Sequence, residues 1–99
     1  MAAYAASMPD TLSQDAVQDK ISGTDWRLDG DAIVRDQEFA DFATALAYVN
    51  RVGEAAEREN HHPDILIHGW NQVQLRLSTH SAGGITQADI DMSHTLDAV

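Results

Sequence analysis

Four of the five histidines in this chain lie in one short segment, NHHPDILIHGWNQVQLRLSTH, which runs from residue 60 to residue 80, and three of them stand at its two ends. His61 and His62 precede Pro63, and His80 ends a stretch in which apolar and polar residues alternate. Imidazole is the side chain whose unperturbed pKa lies nearest neutrality, so clustered histidines are typical of proton transfer or of metal binding. The segment therefore predicts a site with one of these two chemistries.

A zinc site is the main alternative to proton transfer, since His61, His62 and His80 would supply three ligands and leave an open position. Their spacing matches no common zinc signature. Adjacent residues of an extended chain also point to opposite sides, which makes joint ligation by His61 and His62 awkward. We therefore expect chemistry without a metal ion.

Two carboxylates near the histidines each have two interpretations. Glu57 lies four residues before His61, so it either orients His61 or is simply a solvated helix residue. Asp89 is predicted to cap the last helix, and the alternative is a carboxylate at the pocket. His68, beside a turn, and His94, within the last helix, are expected to be ordinary surface or core histidines.

The elements that position the histidine pair follow from the period of the apolar residues. Steps of three and four predict a long amphipathic helix over residues 41–60. Its single apolar stripe comprises Phe42, Leu46, Val49, Val52 and Ala56. Pro63 cannot continue a helix and favours an extended His62, so the pair lies where this helix gives way to a strand. The alternation of apolar and polar residues over 64–80 then predicts a pair of strands.

The remaining elements complete the predicted fold. A short helix runs from Thr11 to about Ser22, two short strands surround the turn signal at Asp29–Asp31, and a terminal helix begins after Thr86. The order contains no βαβ unit. It predicts an α+β two-layer sandwich, in which a four-stranded antiparallel sheet carries helices on one face, ββαββα plus an N-terminal helix.

Composition limits the classes of function. The 99 residues include no cysteine, which excludes disulfides, thiolate nucleophiles and cysteine-ligated zinc. Sixteen acidic residues against six basic ones give a net charge of −10, which disfavours nucleic acids and anionic membranes as partners. The chain shows neither a signal sequence nor an apolar run of bilayer length, so we expect a soluble, cytoplasmic protein.

The chain length is that of one small domain. Residues 1–10 are expected to be a disordered leader, and residues 11–99 a single domain. A chain of this size buries only roughly 60 to 65% of its extended surface, so self-association would stabilise it.

Several motifs together resemble the pterin-4a-carbinolamine dehydratase family. They are Glu57, HHP at 61–63, WN at 70–71, VQLRLSTH ending at His80, and GGIT followed by Asp89. The resemblance extends back to FADF at 39–42 and to Trp26, and so covers roughly residues 24–97. It implies an α+β two-layer sandwich that assembles into dimers or tetramers.

The resemblance also implies an activity, the dehydration of 4a-hydroxytetrahydropterin to the quinonoid dihydropterin. This step recycles the pterin used by a pterin-dependent aromatic amino-acid hydroxylase, so pterin is the substrate and no cofactor is needed. The implied catalytic set is His61 and His80, which transfer protons, with His62, which binds and orients the pterin. The other implied pocket residues are Glu57, Asn60, Ser78, Thr79, Ser81 and Asp89. Which histidine is the acid and which the base stays open.

The chain departs from the family pattern in places. Six residues, DILIHG, separate Pro63 from Trp70, where animal members of the family have five, and this predicts a bulge or a longer turn near His68 and Gly69. Trp70 replaces a commoner tyrosine, and Asn60 stands where an aspartate often precedes the histidine pair.

Relatives with other roles provide the alternative function. Some act as protein-binding regulators, including a dimerisation cofactor of a transcription factor, and some are associated with assembly of the carbon-fixing carboxylase. The alternative is therefore a non-catalytic binding protein of the same fold. A binding protein would have no need of all three histidines and Glu57, so we favour the enzyme.

Overall fold

The computed structural model describes residues 10–99, and the predicted leader lies outside that range except for Asp10. Within these residues the elements in chain order are α1 (Gln14–Ile21), β1 (Arg27–Asp29), β2 (Ala32–Glu38), α2 (Phe42–Glu59), β3 (Asp64–His68), β4 (Gln72–Leu77), a 3₁₀ turn (His80–Ala82) and α3 (Gln87–Asp97). The strands form one antiparallel sheet in the order β1-β2-β4-β3. The predicted α+β class is confirmed.

One face of the sheet is apolar and carries the helices. Val73, Leu75 and Leu77 of β4 are at most 1% exposed and share a core with residues of all three helices. The opposite face is polar. There Arg27 pairs with Asp36, and this guanidinium holds the pKa of the Asp36 carboxyl below its usual value. Alternation along β4 therefore separates a core face from a charged face.

Helix α2 buries a different stripe from the predicted one. It begins after Asp41, whose carboxylate accepts the Thr44 backbone N–H at 2.8 Å. Its buried residues are Ala45, Tyr48, Val52, Ala55 and Ala56, whereas Phe42 is 50% exposed and Leu46 is 41% exposed. The prediction of one buried stripe is wrong for Phe42 and Leu46. The small alanines let the helix approach the sheet closely, which leaves the larger side chains outside.

The two hairpins differ in their turns. Gly30, with φ +63°, begins the two-residue turn between β1 and β2 at the predicted position. The β3–β4 ladder is continuous up to the pair His68↔Gln72, so the extra residue lengthens the turn and makes no bulge. In that turn Gly69 and Trp70 both have positive φ, 55° and 61°. The longer turn, one of the two predicted outcomes, is confirmed.

The terminal helices agree with the prediction in kind and differ in detail. Helix α1 starts at Gln14, three residues later than predicted, because Ser13 accepts the Ala16 N–H at 3.1 Å and caps it. Helix α3 starts after Thr86, as predicted. In the described part of the chain, none of the helices combines the length and the apolar character needed to span a membrane.

Candidate active site

The end of α2 sets the direction of the histidine pair. Asn60 has φ +52°, and its N–H donates to the Glu57 carbonyl at 3.3 Å. The His61 N–H reaches back to the Ala56 carbonyl at 3.1 Å. These two bonds form a Schellman arrangement, which satisfies the last carbonyls of the helix and reverses the chain sharply. His61 and His62 therefore leave the helix in different directions.

The left-handed conformation of Asn60 makes a prediction about stability. Positive φ is unfavourable for an alanine at this position and costs a glycine nothing. Asn60→Ala should therefore lower the free energy of unfolding by about 1 kcal/mol relative to Asn60→Gly. Urea unfolding of both variants measures the difference. Glu59→Ala, one residue earlier and still helical, is the control. Equal stability of the alanine and glycine variants would contradict the assignment of a strained cap.

His61 points inward, toward α3, and meets a buried carboxylate. Its Nε2 lies 2.6 Å from Oδ1 of Asp89, a residue with 0% exposure. The other oxygen of Asp89 accepts the Thr79 hydroxyl at 2.8 Å and the Thr86 backbone N–H at 2.9 Å. The Thr86 hydroxyl is 2.8 Å from that of Thr79, whose proton is already donated, so Thr86 is the donor. Asp89 is thus a fully hydrogen-bonded anion.

The Asp89 contact determines which His61 nitrogen carries the proton. An ionised carboxylate can only accept, so Nε2 of a neutral His61 must hold the hydrogen and donate it. The lone pair then lies on Nδ1, which is free to take a proton from a ligand. Asp89 caps α3 at Thr86, as predicted, and it also orients His61.

His62 and Glu57 form a second pair at the surface. Their Nε2 and Oε2 atoms are 2.5 Å apart, and the side chains are 55% and 77% exposed. The hypothesis that Glu57 orients His61 is therefore wrong. The reversal at Asn60 directs His61 into the protein, and His62 instead turns back over the last turn of α2.

His80 approaches the same region from the end of β4. Thr79 pairs with Gly84 through a 2.8 Å hydrogen bond from its N–H, and the short turn between them begins at His80. Gly83 closes that turn with φ +76°. The bridge between Thr79 and Gly84 holds the exposed His80 near the point where His61 and His62 leave α2.

All three histidines line one open cleft of about 440 Å³, a volume in the usual range for small-molecule sites. The lining residues are Asn60, His61, His62, Pro63, Asp64, Ser78, Thr79, His80 and Ser81. Seven of these were predicted. Pro63 and Asp64 were not predicted, and their position next to the histidine pair is the one signal that points to them.

Two predicted pocket residues do not line the cleft. Glu57 contacts His62 from outside it, and Asp89 lies buried behind His61. Each acts on the cleft through a histidine. Over residues 10–99, no group of three or more histidine, aspartate or glutamate side chains is arranged to hold a metal ion.

A second cleft, of about 320 Å³, lies between α1 and the segment Gly83–Ile85. It is lined largely by apolar side chains and glycines, and Asp31 is its only titratable residue. With no histidine and a single carboxylate, this second cleft offers no acid–base pair.

Comparison with known proteins gives the family. The sequence profile of the pterin 4 alpha carbinolamine dehydratase family matches residues 10–99, and the chain belongs to this family. A relative from Natronomonas pharaonis, provisionally named a pterin-4-alpha-carbinolamine dehydratase, is 42% identical over 90 residues, which are 91% of this chain and 96% of that protein. A relative of the same provisional name from Thermomicrobium roseum is 52% identical over 71 residues, 72% of this chain and 75% of its own.

Solved structures agree with this membership. A protein from Brucella melitensis, described as a transcriptional coactivator/pterin dehydratase, has a TM-score of 0.80 and 32% identity, covering 90% of this chain and 97% of its own. A pterin dehydratase-like protein described as a RuBisCO assembly factor in the alpha-carboxysome has a TM-score of 0.63 at 22% identity, over 77% of this chain and 89% of its own. The second likeness concerns the fold alone.

Proposed function

We propose that this protein catalyses the dehydration of a 4a-hydroxytetrahydropterin, supplied by a pterin-dependent hydroxylase, to the quinonoid dihydropterin and water. In this reaction the C4a–O bond breaks, the leaving hydroxyl takes a proton, N5 loses a proton, and a C4a–N5 double bond forms. The reaction needs one acid and one base at a single ring. The observation that carries the proposal is a cleft where three histidines meet, one of them held by a buried aspartate.

The hydrogen bonds of the cleft support a division of roles. His61, with its proton directed to Asp89 and a lone pair on Nδ1, is the base that takes the N5 proton. His80, from the opposite segment of the cleft, is the acid that protonates the leaving hydroxyl. His62, held by Glu57 at the surface, binds and orients the ring.

A non-catalytic regulator or carboxylase assembly factor is the alternative. Its support is the structural neighbour from Brucella melitensis, which is described as a transcriptional coactivator as well as a pterin dehydratase. The pairing of the buried Asp89 with the partly exposed His61 favours the enzyme. Burying a carboxylate costs stability unless it is fully paired, and a surface used only for docking gains nothing from it.

The test is the decay of 4a-hydroxytetrahydropterin generated by a hydroxylase, corrected for its spontaneous dehydration. We expect catalysed decay that persists after exhaustive EDTA treatment, because two imidazoles suffice for both proton transfers. Decay at the spontaneous rate, from protein shown by circular dichroism to be folded, would remove the enzymatic proposal. Loss of activity in EDTA with recovery on adding zinc would remove the metal-free mechanism.

Self-association is part of the proposal and rests on two uncovered surfaces. Strand β3 is an edge strand with Ile65 and Leu66 exposed to 37% and 52%, and α2 exposes Phe42 and Leu46. Exposed apolar edges favour pairing with another chain. We expect sedimentation at micromolar concentration to give a dimer or tetramer, and a single 10.8 kDa species would contradict this.

A further inference from the structure

The free edge of the sheet has a self-complementary sequence. Strand β3 reads Asp64-Ile65-Leu66-Ile67-His68, an acid and a base at its ends and aliphatic residues between them. If two copies pair antiparallel about Leu66, Asp64 of each lies opposite His68 of the other, and Ile65 lies opposite Ile67. A carboxylate opposite an imidazole, which can hydrogen-bond to it, and matched aliphatic residues at facing positions both stabilise an antiparallel pair. A two-fold axis produces these contacts twice.

Other registers of this strand are poorer. A shift by one residue would set core-side residues opposite solvent-side residues. A shift by two places Leu66 opposite Asp64 or His68 and shortens the ladder. For a second copy that pairs with β3, the register centred on Leu66 is therefore the most favourable one.

This register brings the β3–β4 turn of one copy to the cleft of the other. His62 lies two residues before β3 begins at Asp64, and Trp70 lies in the turn that follows the end of β3 at His68. An antiparallel pair with strands about 4.8 Å apart therefore brings this turn of one copy next to the histidine pair of the other. Trp70 is 62% exposed. Resting on the function proposed above, we infer that Trp70 of the partner subunit forms a wall of the cleft and stacks on the pterin ring.

The cleft of a single chain lacks such a wall. Of its nine lining residues, only Pro63 presents an apolar surface. A planar heteroaromatic ring is bound by polar groups at its edge and by flat apolar contacts on its faces. The partner's Trp70 supplies the missing face.

The backbone of Trp70 supports a functional role. A φ of +61° is rare for a large side chain and costs stability, and this indole does not recover that cost by burial in its own chain. Glycine would adopt the conformation freely. Strain of this kind, at an exposed residue, is typical of positions retained for binding.

Single variants test the contact. Trp70→Ala should raise KM for the hydroxylated pterin about tenfold and change kcat little, since stacking acts equally on substrate and transition state. Trp70→Phe should keep KM close to the wild-type value, because phenylalanine can still stack on the ring. Leu66→Asp, which places two carboxylates face to face on the two-fold axis, should yield monomers with the KM of Trp70→Ala. An unchanged KM in Trp70→Ala would overturn the inference.

Mixed assemblies test whether the tryptophan acts across the interface. We compare His80→Ala with Trp70→Ala, each alone and coexpressed in one cell, at pterin concentrations below KM. In a mixed dimer one site has an intact His80 and an intact tryptophan from its partner, so about a quarter of wild-type activity should return. If Trp70 instead acted within its own chain, no intact site would form in the mixed dimer. The activity would then stay near one-twentieth of the wild-type activity.

A binding assay separates this inference from the proposed function. If the wild-type protein shows no turnover, the function fails, and 7,8-dihydropterin then serves as the probe. Its binding should quench the fluorescence of the wild-type protein more than that of Trp70→Phe, and Kd should rise about tenfold in both Trp70→Ala and Leu66→Asp. Equal quenching, or an unchanged Kd in Leu66→Asp, would overturn the role of the partner's Trp70.

Discussion

His61→Ala and His80→Ala are each expected to lower kcat by about 10²- to 10⁴-fold, with KM changed less. The reason is that each imidazole transfers a proton only in the transition state, one at N5 and one at the leaving hydroxyl. The measurement is steady-state decay of 4a-hydroxytetrahydropterin, corrected for spontaneous loss. His94→Ala, an exposed histidine of α3, is the control and should match the wild-type protein.

The other two variants of this set separate binding from chemistry. His62→Ala should act mainly through KM, because an interaction made equally in the ground and transition states leaves kcat unchanged. The double variant His61→Ala/His80→Ala should lose less than the product of the single losses, since water can then carry both transfers. Near-wild-type kcat in both single variants would contradict the acid–base roles of His61 and His80.

Asp89→Asn should lower kcat by about 10²- to 10⁴-fold while the protein stays folded. The amide has a single acceptor oxygen, and the Thr86 N–H and the Thr79 hydroxyl both donate to that side of Asp89. The amide nitrogen then faces Nε2 of His61 and donates to it. This moves the His61 proton to Nδ1 and removes the lone pair that the base needs.

The result can be checked independently of activity. Nitrogen NMR of the His61 ring should show the proton on Nε2 in the wild-type protein and on Nδ1 in Asp89→Asn. Asp91→Asn, an exposed position on the same helix, should change neither the NMR spectrum nor kcat. An unchanged tautomer in Asp89→Asn, or full activity with a changed one, would contradict the positioning role.

Asp89→Ala is expected to affect stability as well. It removes the acceptor for three donors, a buried one from the Thr86 backbone and two partly buried ones from His61 and Thr79. Unmet donors to a charged group cost about 3 kcal/mol in total or more, a large share of the 5–15 kcal/mol that stabilises an ordinary domain. Urea unfolding should therefore show Asp89→Ala well below Asp89→Asn in stability.

Local signals in the sequence determined the elements and the location of the histidines. Proline at 63 prevents a helix from continuing through it whatever surrounds it, because it has no N–H to donate, and the alternation of Val73, Leu75 and Leu77 requires a strand with one buried face. These effects act over a few residues. They therefore appear in the sequence without any knowledge of the packing.

The partner of each histidine was decided only by the tertiary structure. Helical spacing predicted a contact between Glu57 and His61. The positive φ of Asn60 reverses the chain, however, and Glu57 contacts His62 instead. His61 hydrogen-bonds to Asp89, 28 residues away in the sequence, because α3 packs against α2. The buried face of α2 likewise depended on how closely its alanines approach the sheet. A sequence shows which residues can donate, accept or be buried, and the pairing follows from long-range packing, which brings distant segments within hydrogen-bonding distance.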